Sequence, residues 1–120
     1  MKIYTTLKQS KELAKILPLD TADMCYKCLG EDPYDVCLRP YSEWKEVYKG
    51  LLVDKEVDVI PCWSLTALLG VLPKINGLKP ILDLEENSIQ YSGSDFYAVA
   101  DNPIDACYEM ILELNESKLL

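Results

Sequence analysis

The last forty residues most constrain the fold, because three short strand patterns there are separated by segments too short for a crossover helix. The strand patterns are Ile81–Glu85, Ile89–Ser92 and Phe96–Ala100. Between them lie only Glu86–Ser88 and Gly93–Asp95, which are composed of polar and turn-forming residues. A parallel pair needs a crossover of about a dozen residues or more, so these strands are predicted to form an antiparallel meander.

A helix signal follows the third strand pattern directly. Asn102 is a suitable cap, Pro103 fits the first turn, and Asp105 suits the positive end of the helix dipole. The helix is predicted to run from Pro103 to about Glu116. Its apolar residues recur on one stripe, which comprises Ile104, Cys107, Tyr108, Ile111 and Leu114.

Three more helices are predicted upstream. The first begins at Thr6, where Gln9 completes a capping box, and Pro18 ends it. The second spans Ser42–Gly50, with a serine cap, apolar residues at helical spacing and a terminal glycine. The third is the short apolar segment Leu65–Leu72.

The remaining signals complete a small α+β fold. Val57–Ile60 alternates like a strand that Pro61 ends, and it is an optional fourth strand of the sheet. Cys25–Pro40 contains glycine and proline and is predicted to be the least regular segment. The length predicts a single domain over residues 1–120, with about four helices packed on one face of a small antiparallel sheet.

The charge of the chain limits its partners. The formal net charge is −8 at pH 7. Direct nucleic-acid binding is not expected, because displacing counterions from phosphates requires clusters of Lys and Arg. An acidic surface serves solubility in most proteins, and it also suits a basic partner. An acidic inhibitor that mimics nucleic acid for a host enzyme is therefore one function hypothesis.

No pattern of export or membrane insertion is present in the sequence. Met1–Tyr4 leads into polar residues, and the longest apolar run, Leu65–Leu72, is too short to cross a bilayer. Five cysteines, an odd number, without an export signal predict reduced thiols in a cytoplasmic protein. No membrane partner is expected.

One cysteine spacing suggests chemistry. Cys25 and Cys28 form a CxxC pair, and together with Cys37 and Cys62 they offer four thiolates to a structural zinc. A second short pair is missing, however, and the CxxC pair lacks the strand-to-helix context of a thioredoxin-like site. Cysteines acting as small buried apolar residues are the simplest interpretation, so neither a metal nor a cofactor is predicted. A zinc or thiol protein built on these four residues stays an alternative.

No catalytic constellation is visible, and the protein is predicted not to be an enzyme. The chain has no histidine, which removes Ser-His and Cys-His pairs and histidine-ligated metals. Ser64 is therefore interpreted as a helix cap, and the scattered glycines match no phosphate-binding loop. Acidic residues such as Asp83 and Asp95 fall on predicted turns and solvent faces, so a solvated surface explains them.

Three tyrosines are candidates for an interaction surface. Tyr26, Tyr34 and Tyr41 lie in or beside the segment predicted to be irregular. Tyrosine combines an apolar body with a polar tip and is enriched in interface hot spots. The alternative is that these side chains cover the core beneath a long loop.

Four motifs together resemble those of a known family. They are Leu7-x-Gln-Ser10, Thr21-Ala-Asp-Met24, Pro61-Cys-Trp-Ser-Leu-x-Ala-Leu-Leu69 and Asp101-Asn-Pro-Ile-Asp-Ala-Cys-Tyr-Glu-Met110. In combination they resemble a family of short uncharacterised proteins from gut anaerobic bacteria and their phages or mobile elements, over about residues 7–116. The resemblance implies an intracellular accessory protein of mobile-element origin and not a housekeeping enzyme. It assigns no role to any residue.

The leading hypothesis joins these observations. The chain is predicted to be a non-enzymatic accessory or interaction protein of phage or mobile-element origin that acts through its surface. Its partner is predicted to be a protein of unknown identity, and a homodimer is one option.

Overall fold

The computed structural model describes residues 2–29, 33–43 and 57–120, and over these residues the chain is α+β, as predicted. Its helices are α1 (Leu7–Leu13), a 3-10 helix (Leu19–Thr21), α2 (Leu65–Val71) and α3 (Pro103–Glu116). Its strands are β1 (Met24–Leu29), β2 (Asp35–Cys37), β3 (Val57–Cys62), β4 (Ile81–Asp83), β5 (Ser88–Gln90) and β6 (Tyr97–Val99). The chain divides into two compact units, which are Thr6–Ser64 (the N-terminal unit) and Met1–Thr5 with Leu65–Leu120 (the C-terminal unit).

The N-terminal unit contains an antiparallel sheet of order β2-β1-β3, and α1 packs against β3. The prediction that Cys25–Pro40 is irregular is therefore wrong, because β1 and β2 form a hairpin within it. The sequence around Cys25 shows no strand alternation by itself. Its partner β3 comes from far along the chain and pairs with all six residues of β1, and this long-range ladder stabilises the strand.

β3 also differs from its prediction in two respects. It belongs to the N-terminal sheet, and in the described residues it does not extend the sheet of the C-terminal unit. It also continues through Pro61 to Cys62, with Pro61 directly opposite Cys25. β3 is an outer strand in the order β2-β1-β3, so a proline, which lacks a backbone N–H for the ladder, is tolerated there.

The C-terminal unit contains the second antiparallel sheet, of order β4-β5-β6, and α3 packs against β5, β6 and α2. The three predicted strands are all present, although each is shorter than its pattern. Asn87 in the turn after β4 and Gly93 in the turn after β5 have positive φ angles, of 51° and 75°. These left-handed residues reverse the chain in a few positions, as the short turn sequences require.

The helix boundaries are set by local signals where those signals are strong. Thr6 caps α1 in a complete capping box with Gln9, but α1 ends at Leu13, ahead of the predicted stop at Pro18. Ser64 directly precedes α2, and its hydroxyl and backbone N–H both donate to the Asp23 carboxylate.

The predicted helix Ser42–Gly50 lies largely outside the described residues. Within the described ranges, no helix has the length and apolar composition that crossing a membrane requires.

Candidate functional site

The sheet of the C-terminal unit has two faces of different character. Residues directly opposite each other on paired strands share a face, and so do alternate residues of one strand. Of the six residues that share the face away from α3, only Ser88 is buried. The register arranges the six in two rows, Ile81 with Gln90 and Tyr97, then Asp83 with Ser88 and Val99. We call the five exposed members the exposed sheet face: Ile81, Asp83, Gln90, Tyr97 and Val99.

The opposite face of this sheet belongs to the core. It carries the remaining strand residues, Leu82, Ile89 and Ala98, which share a row in the register. Ile89 is fully buried and Ala98 nearly so, and α3 packs against the two strands that carry them. The sheet is thus covered by α3 on one face, while the side chains of Ile81, Tyr97 and Val99 are exposed to solvent on the other.

The exposed sheet face carries three large apolar side chains beside the polar residues Asp83 and Gln90. Ile81 and Val99 are each 56% exposed and Tyr97 is 49% exposed. In an antiparallel sheet with one solvated face, polar residues are expected at these positions. Single exposed apolar residues are ordinary, but Tyr97 and Val99 are neighbours on one face of β6, and Ile81 lies in the row of Tyr97 with Gln90 between them. Apolar side chains grouped on one exposed face mark interaction sites.

Acidic residues border this face at one end of the sheet. The turn after β4 carries Glu85 and Glu86, and Asp101 follows β6 shortly after its end, all of them exposed. The Asn87 side chain donates to the backbone carbonyl of Asp101 (3.1 Å), which joins the turn to the end of β6. The Asp83 carboxylate accepts from the backbone N–H of Glu85 (2.9 Å) and so stands beside the same turn. We call Asp83, Glu85, Glu86 and Asp101 the acidic end.

The charge of the chain is concentrated in this region. Residues 81–117 contain nine Asp and Glu and no Lys or Arg. Because the whole chain has a net charge of −8, the rest of the sequence is close to neutral. A negative potential is therefore centred on the meander and α3, where it attracts basic surfaces.

The four cysteines of the zinc hypothesis lie in the N-terminal sheet but do not form one cluster. Cys25 is directly opposite Cys37, Cys28 is opposite Asp58, and Cys62 is opposite Met24. Since strand side chains alternate, Cys25 and Cys37 share one face, and Cys28 points to the other. Within the described residues, no group of three or more Cys, Asp or Glu is placed to hold a metal ion.

The environment of Cys25 disfavours its thiolate. Burial raises its pKa to about 12, and the nearby charge and hydrogen bond of Cys37 and the charge of Cys62 act in the same direction. Cys25 is completely buried. A catalytic or metal-binding thiol needs an accessible thiolate, so Cys25 lacks the character of a thioredoxin-type nucleophile.

The three candidate tyrosines occupy different environments. Tyr26, on β1, and Tyr41 are both buried, at 8% exposure, which agrees with the alternative that they cover the core. Tyr34 is half-buried, and its hydroxyl bonds to Asp58 while Lys11 Nζ lies 5.7 Å from the centre of its ring. The hydrogen bond to Asp58, more than burial, raises the pKa of Tyr34 to about 12. These contacts hold Tyr34 against other residues of its own unit.

The exposed sheet face was missed in the sequence because its strands are apolar on both sides. Tyr97, Ala98 and Val99 are consecutive apolar residues, so alternation does not tell the buried face from the exposed one. The same is true of Ile81 and Leu82. Unbroken apolar character in a short strand beside polar turns is the signal that indicates a second covered or binding face.

Comparison with known proteins adds no independent assignment. No protein-family model matches the chain, and no curated protein or solved structure is significantly similar to it. The resemblance drawn from the four motifs stays a prediction, and function is inferred from the geometry and charge of the chain itself.

Proposed function

We propose that this protein is a non-enzymatic interaction protein that binds a protein partner through the exposed sheet face. One observation carries the proposal: the register of β4, β5 and β6 places Ile81, Tyr97 and Val99 on the same face of the sheet, the face away from α3. All three are about half exposed. Burying an apolar side chain fully contributes about 1.5–3 kcal/mol, so covering what remains exposed of these three is a substantial driving force.

The partner is a protein surface with an apolar centre and Lys or Arg at its border. The acidic end flanks the apolar residues on one side, and residues 81–117 contain no basic side chain to compensate it. Charge complementarity of this kind accelerates association and selects partners. Tyr97 suits the centre of such a contact, since tyrosine is enriched among interface hot spots.

A homodimer through this face is the less favoured form of the proposal. Each copy has a net charge of −8, so two copies repel each other. Size-exclusion chromatography with light scattering separates the two forms. We expect a monomer that forms a heterocomplex, and a dimer abolished by Val99→Lys would assign the face to self-association instead.

Site-specific photo-crosslinking tests the proposal. A benzophenone amino acid in place of Tyr97 should capture a discrete partner from the lysate of a gut anaerobic bacterium, the host class that the family resemblance implies. The matched control places the same amino acid at Leu38, which is 81% exposed and lies in the N-terminal unit. Capture at position 97 and not at position 38 supports the proposal. The same products from both positions, or none from position 97, would contradict it.

A second candidate function is inhibition of a nucleic-acid-binding enzyme by mimicry of its substrate. It is favoured by the run of nine acidic residues without a basic one between positions 81 and 117. A mimic must bind where phosphates bind, and nucleic acid must compete with it. If duplex DNA or RNA displaces the partner captured at Tyr97, the mimic is supported, and if neither competes at low salt, it is excluded.

A further inference from the structure

We propose that Cys25 and Cys37 are an oxidisable pair that closes to a cross-strand disulfide between β1 and β2. This inference concerns the N-terminal unit and does not depend on the exposed sheet face. All five cysteines are present as thiols in the structure, so the disulfide is a second covalent state of the same fold.

The register brings the two residues within bonding range. Cys25 and Cys37 are direct partners in the antiparallel ladder, where facing Cα atoms lie about 4.5–5.5 Å apart and their side chains share a face. Disulfides usually span Cα separations of about 4.4–6.8 Å. Cys37 also acts on Cys25 through its charge and as a hydrogen-bond partner, raising the pKa of the Cys25 thiol, which agrees with this placement. Closure therefore requires rotation of side chains and no change of register.

The other cysteines of this sheet are less suitably placed. Cys28, the CxxC partner of Cys25, is three residues along the same strand and points to the opposite face. Cys62 is near enough to Cys25 to influence its pKa, but its ladder partner is Met24, so it is not directly opposite either member of the Cys25–Cys37 pair. The pair that the ladder selects is thus different from the pair that the CxxC spacing suggests.

The oxidant we assign is a low-molecular-weight disulfide, such as oxidised glutathione. The Cys37 thiol gives up its proton, and its thiolate attacks one sulfur of the oxidant, which forms a mixed disulfide and releases one thiolate that takes up a proton. The Cys25 sulfur then displaces the second thiol from Cys37, and the proton of Cys25 passes to that leaving group. In sum, two cysteine thiols are oxidised to one disulfide, and one oxidant disulfide is reduced to two thiols.

The order of attack follows from exposure. Cys25 is fully buried in the central strand, whereas Cys37 is 8% exposed and lies on β2, at the side of the sheet order. Short strands at the side of a sheet open locally more readily than central ones. Cys37 is therefore the thiol that meets the oxidant, and Cys25 resolves the mixed disulfide.

Thiol mapping on the full chain tests the pair. The protein is incubated with oxidised glutathione, quenched with acid, denatured and alkylated, and its alkylated thiols are counted by intact mass. The wild type should lose two of its five reactive thiols, with peptide mapping joining Cys25 to Cys37. The Cys28→Ser variant should lose two as well, whereas Cys37→Ser should lose none.

Three outcomes would overturn the proposal. They are alkylation of all five thiols after oxidation, a stable glutathione adduct without closure, and a disulfide that joins Cys25 to Cys28 or Cys62. Because the decisive measurement is made on the wild type, poor folding of a variant does not remove the test. The disulfide should also raise the midpoint of thermal unfolding, and a reductant should restore the original value.

Discussion

The Asn102 side chain caps the N-terminus of α3 with two hydrogen bonds to Asp105. Its oxygen accepts from the backbone N–H of Asp105 at 2.9 Å, and its amide nitrogen donates to the Asp105 carboxylate at 2.8 Å. Lys2 Nζ lies 2.6 Å from the other carboxylate oxygen of Asp105. The cap of the helix is thus connected to an ion pair with the first residues of the same unit.

The first prediction concerns the cap itself. Asn102→Ala removes the acceptor for an otherwise unsatisfied backbone N–H, so it should lower the free energy of unfolding by about 0.5–2 kcal/mol. Urea melts measure the change. Asp101→Ala is the matched control, because the hydrogen bond of Asp101 seen among the described residues is accepted by its backbone carbonyl, from Asn87, and alanine keeps that group. An effect of Asp101→Ala as large as that of Asn102→Ala would place the cap one residue earlier.

The second prediction separates an aspartate cap from an asparagine cap. From the sequence alone, Asn102→Asp should be tolerated, since a carboxylate caps well and suits the helix dipole. In the structure, however, the amide that would be lost donates to Asp105. We therefore expect Asn102→Asp to be less stable than Asn102→Ser, which keeps a capping oxygen without bringing two carboxylates together. Equal stability of the two variants in urea at neutral pH would show that the contact with Asp105 is unimportant.

The third prediction tests the packing of α3. Ile111 is completely buried, so Ile111→Ala should destabilise the protein by about 2–5 kcal/mol through lost burial and a residual cavity. Glu113, two residues further along the helix, is only partly buried, and Glu113→Ala should change stability by less than about 0.5 kcal/mol. Similar losses for the two variants in urea melts would mean that the buried stripe of the helix is assigned wrongly.

The fourth prediction concerns alkaline pH. Burial raises the pKa of Cys107 from 9.0 to about 12. Below pH 9 the thiol is protonated in both states, but between these two pKa values the unfolded chain loses a proton that the folded chain keeps. Stability should therefore fall as the pH rises through this window, by up to about 1.4 kcal/mol per pH unit for this thiol. Cys107→Ala should flatten the pH dependence in denaturant melts, and an unchanged slope would contradict the assignment.

Local signals allowed the bounds of α3 to be predicted, although its buried face also includes Ala106 and Met110, which the predicted stripe omitted. The cap, the proline in the first turn and the apolar stripe all lie within the helix, and the observed helix Pro103–Glu116 has the predicted bounds. Asn76 and Gly77 likewise form a tight turn, with φ angles of 54° and 78° and two hydrogen bonds between Ile75 and Leu78. Where neighbouring residues decide the structure, the sequence is sufficient.

Pairing between distant segments could not be predicted in the same way. β1 is a strand because β3 pairs with it. The sequence between these two strands does not predict which residues of β1 and β3 will lie opposite each other. The placement of Cys25 opposite Cys37 depends on the antiparallel pairing of β1 and β2. The sequence around Pro33 does not predict that pairing. The exposed sheet face was missed for a related reason: consecutive apolar residues leave the orientation of a strand undetermined, and packing of α3 on one side decides it.

The most direct test of the docking proposal is the affinity of the partner captured at Tyr97 for three forms of the chain. Val99→Lys places a positive charge in the apolar patch beside the acidic end, and Leu38→Lys places the same charge on an exposed residue of the N-terminal unit. We expect Val99→Lys to weaken binding by about tenfold or more, equivalent to at least about 1.4 kcal/mol, and Leu38→Lys to change it less than about twofold. Wild-type affinity should also fall as salt is raised. Equal affinities for all three forms would contradict the assignment of the exposed sheet face as the binding surface.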